Sequence, residues 1–285
     1  MKDLRVTVVG LGLMGGSLAL ALRPHVAHLM AVDVDAETRQ QALAGDVVDE
    51  AVSSLAEGVR EASAVILATP VHTILEHVAD LSRLRPDGCF VLDLGSTKAQ
   101  ICDALSALPS AFEAVGGHPM CGKETAGLGA AEADLYRDQT FVLCRTARTT
   151  PAGEALAVAL VKAIGARPRF LAPDEHDEVV ALVSHLPYFV AATLMEQAAA
   201  AARENEHVWP VSASGFRDTS RLSGTSAGML RDVVLTNRPA IVAQLRRYRD
   251  HLEDLVSLLA AGDESEIEAW LAARQREYGV YRREK

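Results

Sequence analysis

The sequence predicts an α/β fold: a doubly wound sheet followed by an all-α segment. Three observations carry the prediction. Short apolar runs alternate with helical patterns through about residue 170. A glycine-rich turn joins the first apolar run to the first helical one. Beyond Pro173 strand-like runs vanish and only helical patterns remain. The boundary is placed between residues 1–170 and 171–285.

Val6-Thr7-Val8-Val9 is β-branched and apolar except for Thr7, as expected of a strand buried on both faces. Gly10, Gly12 and Gly15 follow in G-x-G-x-x-G spacing, and Leu18, Ala19, Ala21 and Leu22 begin a helical apolar stretch. Gly10 allows the tight turn, Gly12 admits a pyrophosphate close to the backbone, and Gly15 lets helix and strand pack closely. The helix start at Leu13 and Met14 offers free N–H groups to phosphate. Leu29–Val32 reads as the second strand. It ends in Asp33, eighteen residues beyond Gly15, where a carboxylate accepts bonds from the ribose hydroxyls of NAD. No Lys or Arg stands between Asp33 and Arg39, which also favours NAD over NADP. The competing reading is a secretory signal, with Lys2 and Arg5 ahead of the uncharged run from Val6 to Leu22. Four glycines, no small-residue cleavage site and the acid on schedule speak against it. The N-terminal part is therefore read as a Rossmann-type domain.

Further strands are expected at Ala64–Ala68, Phe90–Asp93, Phe112–Val115 and Phe141–Leu143, the last closing the series. Functional groups on such sheets gather beyond the carboxyl ends of the strands. Thr69-Pro70, Ser96 and His118 all fall there, on the edge that carries the glycine turn. In the second part, Asp174 is expected to cap a long helix to Arg203, kinked at Pro187. A shorter helix and a Gly/Ser-rich loop are expected between Asn205 and Gly224. Helices are expected at Met229–Thr236, Arg238–Ala261 and Glu264–Tyr278, with Gly262-Asp263 as a stop and a cap. The apolar faces exceed what one small bundle can hide, which points to a homodimer.

Composition narrows the function. The 285 residues carry a net charge of −10 and no basic stripe, which argues against nucleic acid as a partner. No uninterrupted apolar segment reads as long enough to span a bilayer, so no membrane partner is expected. The four cysteines, Cys89, Cys102, Cys121 and Cys144, lack C-x-x-C spacing, as expected of free thiols in a cytoplasmic protein without a zinc site.

Several strings could carry chemistry. His118 lies between glycines in Gly116-Gly117-His118-Pro119-Met120-Cys121-Gly122, which leaves its ring accessible as a general base or simply bonded to a carbonyl. Ser96, in Asp93-Leu94-Gly95-Ser96-Thr97-Lys98, bonds a nicotinamide, orients His118 or caps the next helix. Asp174-Glu175-His176-Asp177 resembles a metal cluster, but an acidic first helical turn is the simpler account, and no metal is expected. Ser184-His185-Leu186-Pro187-Tyr188 breaks an apolar helix face, either as a kink or as a site. Phe216-Arg217-Asp218-Thr219-Ser220-Arg221 offers a guanidinium for a carboxylate, or a solvated surface ion pair.

These strings resemble the prephenate/arogenate dehydrogenase family of tyrosine biosynthesis. The resemblance rests on G-x-G-x-M-G-G-S, Asp93-x-Gly-Ser-x-Lys98 and the Gly-Gly-His-Pro-Met-x-Gly-x-Glu-x-x-Gly string from Gly116 to Gly127. It rests also on Ser184-His185-Leu186-Pro187 and Gly215-Phe216-x-Asp218-x-x-Arg221. It implies NAD-dependent oxidative decarboxylation of prephenate to 4-hydroxyphenylpyruvate, or of arogenate to tyrosine. His118 is then the base, with Ser96 beside it and the nicotinamide. Arg221 binds a substrate carboxylate, Ser184 faces the substrate hydroxyl, Tyr188 and Gly122 also belong to the substrate site, and Glu124, Arg217 and Asp218 form an ionic gate near the pocket mouth. The cofactor site is drawn on Gly10, Gly12, Leu13, Met14, Gly15, Asp33, Thr69, Pro70 and Ser96. Tyr188 stands where family members that prefer prephenate often have a second His, and Met229-Leu230 where a Met-Trp pair is frequent. Two rivals share the layout. A 3-hydroxyacid dehydrogenase leans on a catalytic Lys, and Lys162 lacks that setting; a dinucleotide sensor without turnover needs neither His118 nor Arg221.

Overall fold

The computed structural model describes residues 1–123 and 125–284, with Met229 described by its backbone alone. Glu124, placed above in the ionic gate, lies outside the described residues. Residues Met1–Arg238 form one compact unit and Pro239–Lys285 a second.

The first unit is built on an eight-stranded sheet in the order β3-β2-β1-β4-β5-β6-β7-β8. Its strands are β1 (Arg5–Val9), β2 (His28–Val32), β3 (Glu50–Val52), β4 (Ala64–Leu67), β5 (Phe90–Asp93), β6 (Glu113–Pro119), β7 (Thr140–Arg145) and β8 (Arg167–Phe170). β1 to β6 pair in parallel, β7 runs antiparallel to β6, and β8 is parallel to β7. The order reverses between β1 and β4, the switch point at which open α/β sheets bind nucleotides.

The apolar runs form parallel strands because both sheet faces are covered. Val6, Val8, Ala64 and Ile66 point into one core and Val9, Val65, Leu67 and Val91 into the other, with the alternation that a strand imposes. Helices α1 (Leu13–Leu22), α2 (Ala36–Ala44), α3 (Leu55–Val59), α4 (Val71–Leu84), α5 (Ala99–Ser106) and α6 (Pro151–Ala163) supply the covers. Leu18 and Leu22 of α1 and Leu160 of α6 close the first core. Ile74, Val78 and Leu81 of α4 and Ile101 and Leu105 of α5 close the second.

The sheet differs from the sequence reading at its margins. β3 and β8 were not anticipated, so Phe141–Leu143 does not close the series. Both are edge strands, short and polar, with Glu50 in one and Arg-Pro-Arg-Phe in the other. Charge and proline blunt an exposed edge and also erase the apolar signature of a strand.

After β8 come α7 (Pro173–Val180), a π-helical turn at Ala181–His185, α8 (Leu186–Ala202), α9 (Ser214–Ser220), α10 (Ala227–Ala261) and α11 (Glu264–Glu284). The π turn stands immediately ahead of Pro187, where the ring would otherwise meet the carbonyl four residues back and no N–H can donate. Pro173 takes the first position of α7 and Ala172 the cap, so Asp174 lies in the first turn and is not the cap. The helix expected after Asn205 is confined to α9. The two helices expected on either side of residue 237 run on as α10, broken in conformation at Asn237 (φ −131°, ψ 23°) just ahead of Pro239. Gly262 (φ 71°) stops α10, and Asp263 Oδ1 accepts from the amides of Ser265 (2.9 Å) and Glu266 (3.1 Å), as expected.

One expectation about apolar length is overturned. The helical run Pro173–Ala202 is long and apolar enough to cross a membrane by length and composition, with a mean hydropathy of 1.5 in its best window. A single such helix also occurs in water-soluble cores and interfaces.

Where β5 and β6 end, Lys98 is fully buried. Its ammonium meets the Asp93 carboxylate and the Gly117 carbonyl (2.7 Å). Asp93 also accepts from Gly95 N (2.8 Å) and Gly117 N (2.9 Å). Lys98→Met leaves the carboxylate without its ion, and urea unfolding should show a loss of about 3–5 kcal/mol.

Candidate active site

The three glycines of the first turn meet three different spatial demands. Gly10 has φ +94°, and a Cβ there would stand 2.9 Å from Thr69 Cγ2. A Cβ on Gly15 would overlap the Gly10 carbonyl oxygen, so helix and strand touch through bare backbone. Gly12 has nothing within 4 Å of its missing Cβ: the space there is open. It caps α1 without a side-chain bond, and no acidic residue occupies the first turn. Unpaired N–H groups and the positive end of a helix thus face an open, exposed backbone, a setting for phosphate.

Asp33 follows β2 on the same edge. Its Oδ2 accepts from Leu11 N (2.7 Å) and its Oδ1 from Asp35 N (2.9 Å). Each oxygen keeps a second lone pair for a ribose hydroxyl. Arg39, the nearest cation in sequence, donates from Nη1 to the Asp33 carbonyl (2.7 Å). Thr69 Oγ1, beside the Gly10 turn, is buried without a hydrogen-bond partner among the described residues. Orphaned buried hydroxyls are rare, and this one stands where a dinucleotide would pass. The open Gly12 backbone, the helix terminus, the Asp33 carboxylate and the Thr69 hydroxyl therefore fit NAD. Leu13 and Met14 are half-buried and Pro70 is exposed along the same turn edge.

β1, β4, β5 and β6 are successive neighbours, so Gly10 and the β6 edge are about 14 Å apart at ~4.8 Å per strand spacing. His118 sits on β6 itself, opposite Val142, and not in a loop beyond the strand. Packing sets the glycines ahead of it: a Cβ on Gly116 would overlap Cys102 Sγ and one on Gly117 the Asp93 carbonyl. The ring is half-buried. Its Nδ1 lies 2.8 Å from His176 Nε2, with the rings edge to face at 5.0 Å. Its Nε2 has no hydrogen-bond partner among the described residues. Burial, the neighbouring His176 and Lys98, and His185 hold the imidazole well below its ordinary pKa. The ring is thus uncharged at neutral pH and ready to take a proton.

His176 and Asp177 were missed by the sequence reading, which assigned residues 174–177 to an acidic first turn. Asp174 and Glu175 do occupy that turn. His176 and Asp177 instead share the buried face of α7 with Val180. His176 Nδ1 lies 2.8 Å from Asp177 Oδ1, so the His176 ring spends one nitrogen on His118 and the other on Asp177. No group of three His, Cys, Asp or Glu side chains among the described residues is set to hold a metal ion. Helical spacing carried the local signal; the partner 58 residues away could not be read from it.

Ser96 performs neither structural role foreseen for it. It makes no bond to His118, and α5 is capped by Asp177, whose carboxylate accepts from Lys98 N (2.7 Å) and Ala99 N (2.9 Å). Ser184 is exposed within the π turn, and Tyr188 is half-buried against Phe189. His185 is buried near Asn237 (3.4 Å), and burial lowers its pKa to about 4. Arg217 and Asp218 form an exposed pair (3.3 Å) and Arg221 is exposed at the end of α9. Gly122 is exposed, with open space around it.

Residues 18–169 match a family model described as prephenate dehydrogenase, nucleotide-binding domain, and residues 172–273 match prephenate dehydrogenase, dimerization domain. The chain is 34% identical over 250 residues to the prephenate dehydrogenase of Bacillus subtilis, across 85% of this chain and 66% of that one. It thus spans about two thirds of that relative's length. The arogenate dehydrogenase structure from Synechocystis is 31% identical, with a TM-score of 0.81 over 97% of this chain and 99% of that one. The Aquifex aeolicus prephenate dehydrogenase, solved with hydroxyphenyl propionate and NAD+, is 27% identical, with a TM-score of 0.89 over 100% and 99%.

The glycines predict a split between stability and binding. Gly15→Ala should lower the melting temperature sharply or abolish soluble expression, because helix and strand must separate. Gly12→Ala should cost no more than about 1 kcal/mol yet weaken NAD binding at least ~10-fold by calorimetric titration.

Proposed function

The chain belongs to the prephenate dehydrogenase family, and from that premise we propose that it oxidatively decarboxylates prephenate to 4-hydroxyphenylpyruvate with NAD, in tyrosine biosynthesis. The observation that carries the reading is His118: an uncharged imidazole whose Nε2 is unspent, on the sheet edge that carries the glycine turn.

Bound NAD supplies the hydride acceptor. The hydride leaves the ring carbon that bears the hydroxyl, and the hydroxyl proton passes to His118 Nε2. The ring carboxylate then departs as carbon dioxide and its bonding pair completes an aromatic ring. The phenolate oxygen takes the proton back from His118, so no net proton is consumed. Aromatisation drives the second half, and the protein's task is to align two rings and move one proton. Ser96, without a partner among the described residues, is assigned to the nicotinamide and the reacting hydroxyl. Arg221 is assigned to a substrate carboxylate, which a guanidinium grips bidentately. Ser184, Tyr188 and Gly122 line the substrate side, with Glu124, Arg217 and Asp218 as the gate. The exposed Arg217–Asp218 pair supports a gate that opens to solvent.

Arogenate is the second reading. It differs from prephenate only by an amino group in place of the side-chain keto group, and the likeness to the Synechocystis arogenate dehydrogenase favours it as an alternative. The two family matches meet between residues 169 and 172, which supports a functional boundary at 170/171. The dimerization-domain match and the exposed Leu182, Val183, Val256, Leu259 and Leu271 support a homodimer. Four cysteines without a disulfide support a cytoplasmic location.

Incubation with NAD and prephenate, and separately with arogenate, followed at the NADH absorbance, tests the assignment; no NADH from either overturns it. His118→Asn should lower kcat by about 10²–10⁴ with little change in KM. Arg221→Ala should raise the substrate KM at least ~10-fold with NAD affinity unchanged, as expected for lost uniform binding.

A further inference from the structure

We propose that His176 and Asp177 form a positioning relay behind His118, which fixes the His118 tautomer with Nδ1 protonated and Nε2 bare. The proposal rests on the reading of His118 as the base.

The polarity of the relay is set at a helix terminus. The Asp177 carboxylate caps α5: Oδ1 accepts from Lys98 N (2.7 Å) and Oδ2 from Ala99 N (2.9 Å). Both oxygens thus accept from amides at the positive end of a helix, the bonding of an acceptor-only carboxylate. Oδ1 also lies 2.8 Å from His176 Nδ1, so that nitrogen carries the ring proton. His176 Nε2 is then the bare nitrogen, and at 2.8 Å it accepts from His118 Nδ1. His118 Nε2 is left as the lone pair. Each donor–acceptor assignment forces the next, and reversal of any one leaves two donors or two acceptors face to face.

This arrangement is buried where it matters. His176 has no exposed surface and Asp177 is 5% exposed, so water does not compete for either bond. As the substrate O–H bond breaks and the N–H bond forms at His118 Nε2, the positive charge faces His176 and, through it, the carboxylate. The relay protons stay on their rings or shift together toward Asp177, and the proton returned to the phenolate restores the starting state. The same logic makes a buried Asp hold a catalytic His in serine proteases, where loss of the carboxylate yields the wrong tautomer. Here a second imidazole extends the reach.

The test uses full-length protein labelled with ¹⁵N-histidine. Long-range ¹H–¹⁵N spectra report the ring tautomer, and the His118 signals are those lost in His118→Asn. The wild type should show His118 protonated at Nδ1; a proton on Nε2 overturns the relay without recourse to any variant. His176→Phe should lose that tautomer signature and about 10²-fold in kcat, with KM and NAD affinity held within about twofold. His176→Gln, whose Oε1 can still accept from Nδ1–H, should recover at least ~10-fold of the loss. Unchanged tautomer and turnover in His176→Phe overturn the proposal, and so does a His176→Gln as impaired as His176→Phe. If His118→Asn itself keeps full turnover, the base assignment falls first. If it is inactive while His176→Phe is normal, only the relay falls.

Discussion

An ammonium ion sits in this protein where no water reaches it. Lys98 is fully buried, and a lone charge there would cost several kcal/mol. The Asp93 carboxylate and the Gly117 carbonyl meet it, while Asp93 also takes the amides of Gly95 and Gly117. One buried pair therefore ties together the end of β5, the approach to α5 and the backbone of β6 one residue before His118. It also explains why two glycines precede that histidine. They let β6 lie against Asp93 and Cys102, which a side chain at either position would push away. Electrostatics follows from the same geometry. With a positive charge nearby and little solvent, the His118 imidazole resists protonation, so the side chain best placed to accept a proton is also kept free of one.

Much of this was legible in the sequence, for local reasons. The glycine turn was readable because glycines answer to backbone geometry: Gly10 turns at positive φ, Gly15 packs against the Gly10 carbonyl, and the space at Gly12 is open. Parallel strands were readable because burial on both faces leaves continuous apolar runs. Edge strands were not, since β3 and β8 must look polar to stay unpaired. The antiparallel turn of β7 left no local mark either. Within the site, His118 announced itself by its setting, whereas His176 and Asp177 were hidden in an acidic helix start. Their function depends on residues that no periodicity connects to them. Ser96 shows the converse. Its position ahead of a helix suggested a cap, but a cap from another helix, Asp177, had already filled that role.

The break in α10 shows how a local defect braces a distant group. Pro239 has no N–H and cannot continue the helical ladder, and Asn237 leaves helical geometry just before it. At that break the Asn237 side chain donates to the Asp177 carbonyl (2.8 Å) and approaches His185 (3.4 Å). One residue earlier, Thr236 Oγ1 meets Thr97 Oγ1 at 2.8 Å, beside the α5 terminus that Asp177 caps. α7 is thus held at its carboxylate by α5 and at its backbone by the kink. A carboxylate fixed by several bonds from different elements cannot follow a substrate as it moves. Rigidity of that kind is what a general base needs from its surroundings, because proton transfer depends on tenths of an ångström. The proline that interrupts the helix and the polar residues clustered before it are therefore parts of one device, in which a helical fault supplies the bonds that keep α7, and through His176 the His118 ring, in register with the sheet edge.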